Sequence, residues 1–349
     1  MLDLSNPRVL QDLLAAPRVL APERLLIVGS TSNGQLANRL ILFSHLVALA
    51  HDRGHLLVHP AFGEYADLFA STRGSLLCRY PPSDAFYDAR AAKALTSLFF
   101  KVDRDARNGI GKTSPRALDA MTTPEWRARF EQFALSMCAT IAPRELPPSS
   151  PLRYLHTPLP AELYFDGLDL ISAVKDFSLL FLDGWGFRAI GAHKRNGDAV
   201  RRFFVPASPY RENVETMAAA ARQGADRLIG IHIRRGDYRL FEYGRYFFPL
   251  AFYVRLMKQI RALLAPRRVR FVVSSDEPQL LETFGDLDVV FGSGVPIEDL
   301  YLLAKTDAVF GPMSTYSYWA SFYGDIPLQW IHAAEWSPSD ALMREMGLS

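Results

Sequence analysis

The sequence of 349 residues is sparing in several features that would otherwise decide its class. It has two cysteines, Cys78 and Cys138. They lie far apart and match no metal-ligand spacing, so a disulfide scaffold is excluded and both read as buried free thiols. No apolar run approaches the ~20 residues that span a bilayer. The opening Met1-Leu2-Asp3-Leu4-Ser5 carries an acid early and lacks a basic stretch followed by an apolar one, so it does not read as a secretory leader. A cytoplasmic protein with no transmembrane segment is the expectation. An excess of one charge is missing too: the net charge is +2, which argues against a broad nucleic-acid-binding face. There is no internal repeat and no low-complexity tract.

What is present is an ordinary globular balance, 49% hydrophobic and 22% charged, in a chain long enough for two domains. Leu25 to Gly29 is a short apolar run that closes on Gly29-Ser30-Thr31-Ser32-Asn33-Gly34. A helical stretch from Gln35 to Asp52 follows, with Leu36, Leu40, Phe43, Val47 and Ala50 on one stripe. Leu56 to Val58 then reads as a second strand. A strand, a glycine-bearing turn, a helix and a strand open a parallel α/β domain, predicted over 1–205. Within it, 75–160 reads as an insertion on the acceptor side, with helices near Ala91 to Phe100 and Glu125 to Thr140 and a proline-rich tract from Pro143 to Pro160. Leu179 to Asp183 reads as a buried strand leading into Gly184-Trp185-Gly186-Phe187.

The two prolines in Pro206-Ala207-Ser208-Pro209-Tyr210 mark the domain boundary, and 206–349 is predicted to be a doubly wound, nucleotide-binding-like domain. Its helices are expected at Asn213–Gln223, Leu250–Leu264, Pro278–Phe284, Ile297–Ala304 and Thr315–Tyr323. They alternate with strands at Leu228–Ile233, Val269–Val273, Val289–Phe291, Ala308–Phe310 and Pro327–Ile331. Two such domains facing across a cleft constitute the GT-B architecture, which is the expected α/β fold.

The chemistry concentrates where the Leu228–Ile233 strand ends. With a period of two, His232 and Arg234 share one face, while Ile231 and Ile233 take the other. In an open parallel sheet that carboxyl end borders the ligand crevice. An arginine there offers a planar fork suited to a phosphate; Gly236 permits a sharp turn beside it, and Asp237 adds a carboxylate.

The run Ile231-His232-Ile233-Arg234-Arg235-Gly236-Asp237-Tyr238 resembles the first motif of the inverting α1,2-fucosyltransferases. It is similar to the matching segment of the α1,6- and protein O-fucosyltransferases. Other segments agree in order: Asn33 to Leu40 with the glycine-and-asparagine motif, Asp183 to Gly186 with a Gly-aromatic segment, and Ser274 to Pro278 with a Ser/Thr-Asp-Asp-Pro-like turn. Glu298 to Leu303 with Ser314 to Trp319 resembles the last motif. Ala37 and Glu277 depart from the pattern, standing where relatives have glycine and a second aspartate.

The resemblance implies transfer of L-fucose from a GDP-sugar donor to a hydroxyl of a glycan acceptor, with no cofactor and no metal. It also implies roles. Arg234 would neutralise the β-phosphate of the leaving GDP, and His232 would line the nucleotide site. Asp276 would accept from the guanine edge, Ser314 and Thr315 would offer a helix N-terminus to a phosphate, and Gly34 with Asn38 would approach the donor. Glu242, by its offset from Arg234, is the first choice of general base and Asp237 the second. A bacterial setting fits better than a Golgi one, which would need an anchor. A transferase using another nucleotide sugar, and a non-catalytic glycan-binding module, stay open as alternatives.

Other motifs read more plainly. Arg235-Gly236-Asp237 spells an adhesion tripeptide but directly follows a buried strand. Asp286-Leu287-Asp288 spells a metal-binding pattern but precedes its strand, at the wrong end for a ligand site. The pairs Arg201-Arg202 and Arg267-Arg268 read first as solvated faces, and second as contacts to an acceptor or a membrane surface.

Overall fold

The computed structural model describes residues 26–29, 34–73, 75, 78–82, 152–157, 162–166 and 179–349. The predicted helices near Ala91 and Glu125, and Cys138, lie outside these. The chain divides into two compact units, Met1–Ala207 and Ser208–Ser349. The division falls just beyond the predicted one because Pro206 is bridged to Phe69 of the first unit.

The first unit is built on β1 (Leu26–Gly29), α1 (Leu36–Arg53) and β2 (Leu56–Val58). It continues through β3 (Leu152–Thr157), the short β4 (Leu163–Tyr164), β5 (Leu179–Gly184) and β6 (Phe187–Arg188). Strand order is β2-β1-β5-β3, all parallel, with β4 and β6 paired separately. The stripe Leu36, Leu40, Phe43, Val47 and Ala50 is buried as its spacing requires. Most other positions of α1 as far as Ala50 are buried too, so this helix is enclosed on most sides. The reading of 75–160 as wholly an insertion needs correction. Leu152–Thr157 is a strand of the main sheet, fitting between Pro151 and Pro158, each of which would interrupt a ladder. Its described residues also form a 3₁₀ helix at Pro60–Leu68 and two short helices, α2 (Ile190–Arg195) and α3 (Gly197–Phe203).

The second unit begins with α4 (Ser208–Arg222), several residues earlier than predicted. Pro209 did not delay it, because a proline in the first turn of a helix removes an N–H that has no intrahelical partner. Then come β7 (Arg227–Ile233), α5 (Leu250–Leu263), β8 (Val269–Ser275), β9 (Val289–Phe291) and α6 (Pro296–Leu303). The chain ends through β10 (Ala308–Pro312), α7 (Thr315–Gly324), β11 (Leu328–Ile331) and α8 (Asp340–Glu345). The predicted helix over Pro278–Phe284 is only a 3₁₀ turn at Leu281–Phe284. Ser275 Oγ accepts from the Glu277 amide at 3.2 Å and from Gln279 Nε2 at 3.2 Å, which holds the preceding residues in a turn instead.

All five strands are parallel, in the order β11-β10-β7-β8-β9. β7, first in sequence, is central; the chain moves to β8 and β9 on one side and then crosses to β10 and β11 on the other. The order therefore reverses between β7 and β10, the place where open α/β sheets open a crevice at their carboxyl ends. One face of the sheet packs Ile229, Ile231, Ile233, Phe271, Val273 and Phe310 against Phe252, Tyr253, Leu256, Met257 and Ile260 of α5. Each such fully buried side chain contributes roughly 1.5–3 kcal/mol. The opposite face carries Leu228, Val272 and Val309, all buried. Among the described residues no helix is long and apolar enough to cross a membrane.

Candidate functional site

At the carboxyl edge of the second sheet, the segments after β7, β8 and β10 are tied together through named contacts. His232 is the last polar residue of β7 and is 3% exposed. Its Nδ1 lies 2.7 Å from Ser317 Oγ, and its ring stacks on Tyr316 with centroids 5.0 Å apart. Burial, with Arg234 adding to it, pushes the imidazole down to about 3, so it is neutral at physiological pH and lines the edge without contributing charge.

Arg234 follows, with a side chain 21% exposed between two carboxylates. Asp237 is 2.9 Å from Nη2 and Asp276 3.4 Å from Nη1. The Asp276 carboxylate also accepts the Arg235 amide at 2.8 Å and the Gly236 amide at 2.9 Å. Beside the task expected of it at a guanine edge, the group is thus tied to the backbone of the β7 turn. Gly236 is required there, because a Cβ would stand 2.8 Å from Asp276 Oδ2. Replacing Asp276 by alanine strips two amides of their acceptor. It is expected to lower the unfolding free energy by about 1.5 kcal/mol, with Asp276→Asn losing less, as urea titration would measure. Equal stability of all three proteins would contradict the anchoring role.

Tyr238 donates to the Met313 carbonyl at 2.5 Å, joining the β7 segment to the β10 segment. Ser314, next along, is the N-cap of α7, its Oγ accepting the Tyr316 amide at 3.2 Å. Thr315 is the first helical residue, so both stand at the positive end of a ten-residue helix. Arg235 and Arg239 share Glu277 at 3.0 and 2.8 Å, and both lie over the Phe247 ring. The arginine beside Arg234 is thus employed in fixing the turn. Asp286 and Asp288 pair with Arg261 and Arg270, each at 2.9 Å, and Arg201 and Arg268 form exposed ion pairs.

Glu242 lies outside this knot, exposed on a turn whose backbone is left-handed at three successive residues: Glu242 (φ 48), Tyr243 (φ 58) and Gly244 (φ 77). Such backbone is strained in non-glycine residues and clusters at functional positions. The burial that a strong carboxylate base requires is absent at Glu242 in the free chain.

Gly34 and Asn38 belong to the first unit. Gly34 has φ +73, and a Cβ there would meet Asn38 Nδ2 at 2.1 Å, so the two are in intimate contact. Arg39 supports the turn from within, 8% exposed, donating to the carbonyls of Gly34 and Ala61, each at 3.1 Å, and pairing with Glu64 at 3.0 Å. Trp185 Nε1 donates to the Asn38 carbonyl at 2.9 Å, and Arg188 lies over the Trp185 ring at 4.1 Å. At the end of β2, His59 is fully buried and donates through Nδ1 to the Gly29 carbonyl at 2.8 Å.

Tyr238, Tyr316, Ser317 and Asp299 fall within the segments that carry the resemblance, but the sequence assigns none of them a role. Asp299 is 6% exposed and its carboxyl is raised by burial, with the Gly294 amide donating to it at 3.2 Å. The run Glu298-Asp299 at the start of an apolar helix carried a signal, since a helix N-terminus favours acids whether exposed or not.

No family model and no curated protein sequence matches this chain. Among solved structures, a mutant of Arabidopsis thaliana FUT1 in complex with GDP is similar over 96% of this chain and 75% of its own, at 15% identity and a TM-score of 0.50. The NodZ α-1,6-fucosyltransferase soaked with GDP-fucose aligns over 86% of this chain and 92% of its own at 16% identity, with a TM-score of 0.46; NodZ is from Bradyrhizobium. POFUT1 in complex with GDP-fucose aligns over 92% and 97% at 11% identity, with a TM-score of 0.46. The fold is shared with FUT1: a mixed α/β chain on parallel sheets.

Proposed function

We propose that the chain is an inverting, metal-independent glycosyltransferase of GT-B architecture that moves L-fucose from GDP-fucose to a hydroxyl of a glycan acceptor, with an α1,2-like linkage. The observation that carries this reading is the emergence of Arg234 at the point where the strand order reverses, within the segments that also hold the N-terminus of α7. Fucose departs through a transition state in which the ring gains positive charge and the diphosphate negative charge. A guanidinium already held in place, together with the positive end of a helix, stabilises that developing charge without first reorganising. Neutral His232 beneath the arginine leaves it as the cation that meets the phosphate.

The acceptor hydroxyl attacks from the opposite face of the ring and must lose its proton. Of the two carboxylates considered for this, Asp237 is engaged by Arg234, whereas Glu242 has no side-chain partner among the described residues. Glu242 is therefore the assigned base, and the bound acceptor supplies the burial that the free chain lacks. The GDP named for the structurally similar FUT1 is consistent with a GDP-sugar donor here. The protein acts, on this reading, as a soluble cytoplasmic enzyme.

A thermal-shift panel of GDP, UDP, ADP and CMP tests the donor. A ligand present at about 100 times its dissociation constant stabilises by ~2.7 kcal/mol, so GDP should raise the unfolding temperature and the other nucleotides should not. A larger response to UDP would replace the donor, and a response to glycan with none to any nucleotide would remove the enzyme reading altogether. With GDP-fucose supplied, slow sugar transfer to water should release GDP at the same rate with and without chelator.

A further inference from the structure

We infer that Asp237 is an internal stand-in for the diphosphate: it occupies the outer edge of Arg234 in the free chain, is displaced when the anion arrives, and so weakens the hold on both donor and product. The inference rests on the functional reading above and adds to it the residue that sets diphosphate affinity.

The two carboxylates beside Arg234 are built differently. The Asp276 side chain is 16% exposed, and its oxygens are pinned by the Arg235 and Gly236 amides at 2.8 and 2.9 Å, so its 3.4 Å approach to Nη1 is a fixed part of the turn. The Asp237 side chain is 61% exposed, makes the shorter contact of 2.9 Å to Nη2, and has no other side-chain partner among the described residues. Rotating it into water breaks one ion pair and strands no buried group, so its departure is cheap. Nearby charge cannot substitute for Arg234: Arg235 is held by Glu277 and lies over Phe247, and His232 is buried. An incoming diphosphate therefore competes with Asp237 for Nη2, and the displaced carboxylate remains close enough to repel it. Two anions that exclude one another from a single cation are coupled negatively. The consequence for a transferase is easier release of the nucleotide product, a step that limits many enzymes.

The test is calorimetric binding of GDP and of guanosine to the wild-type protein and to Asp237→Asn. The amide keeps the shape of the side chain and removes the competing charge. GDP should bind about fivefold more tightly to the variant, the upper range for one exposed ion pair, with guanosine affinity unchanged because guanosine has no diphosphate to meet Arg234. Unchanged or weaker GDP binding would overturn the inference. So would an equal gain for guanosine, which would indicate a general change of the pocket. Asp237→Glu should restore wild-type affinity; if it resembles the asparagine variant, charge is not the cause. A wild-type protein that ignores GDP but binds another nucleoside diphosphate refutes the donor assignment alone, and the same comparison is then made with that nucleotide and its nucleoside.

Discussion

Arg234→Ala is expected to lower the release of GDP from GDP-fucose about 10³-fold, the loss typical when one fixed donor to a developing anion is removed. The fold should survive, because the guanidinium is partly exposed and Asp276 keeps its two backbone partners. Arg234→Lys should retain the charge but not the fork, and so should recover only part of the rate. Single-turnover measurement separates the chemical step from nucleotide release. If the alanine variant kept most of its activity while folding normally, the central role of this arginine would be untenable.

Acidification should produce the largest change in stability. His45, His59, His193 and His232 are all buried and all depressed, to about 3, 4, 4 and 3. Burial is the leading cause at each, reinforced by His193 and Arg188 at His45, by Arg39 at His59, by Arg201 at His193, and by Arg234 at His232. An unfolded chain protonates its histidines as the pH falls through about 6.5, while the folded chain holds these neutral down to the depressed values. Between those limits the unfolded state binds more protons. Stability is therefore fully present above about pH 6.5 and declines below it, by about 2 kcal/mol per imidazole at pH 5. The carboxylates held low by arginine partners, such as Asp52 and Asp226, contribute only at lower pH. Urea midpoints measured at pH 7 and pH 5 should differ sharply, and a flat profile across that interval would mean that these rings are solvated.

Much of the second unit was legible because its sequence repeats one physical device, a short apolar run at a strand followed by an amphipathic helix. The predicted strand at Val289–Phe291 coincides with the observed one, and those at Leu228 and Val269 extend only by a residue or two. The site was legible in part for the same reason: period-two alternation carries His232 and Arg234 to the edge of the sheet. What stayed hidden depends on contacts between distant segments. Nothing local shows that Asp276 will accept from the Arg235 and Gly236 amides, since those donors are main-chain groups common to every sequence. The strand Leu152–Thr157 was obscured by the prolines around it, which bound the strand instead of forbidding it. The start of α4 was misplaced because Pro209 was read as a break, although its ring suits the first turn of a helix.

The clamp formed by Arg235, Arg239, Phe247 and Glu277 has a corollary for the loop above it. It closes the base of the span from Leu240 to Tyr246, while within that span Phe241 stacks on Tyr238 and Tyr246 is buried, so the strained tip bearing Glu242 and the fully exposed Tyr243 is moored from below. Lengthening a loop whose ends are already joined is inexpensive, about 0.6 kcal/mol for each doubling. Substitution or lengthening at the exposed position of Tyr243 is therefore tolerated by the fold, because the segment at its foot is held by contacts of its own.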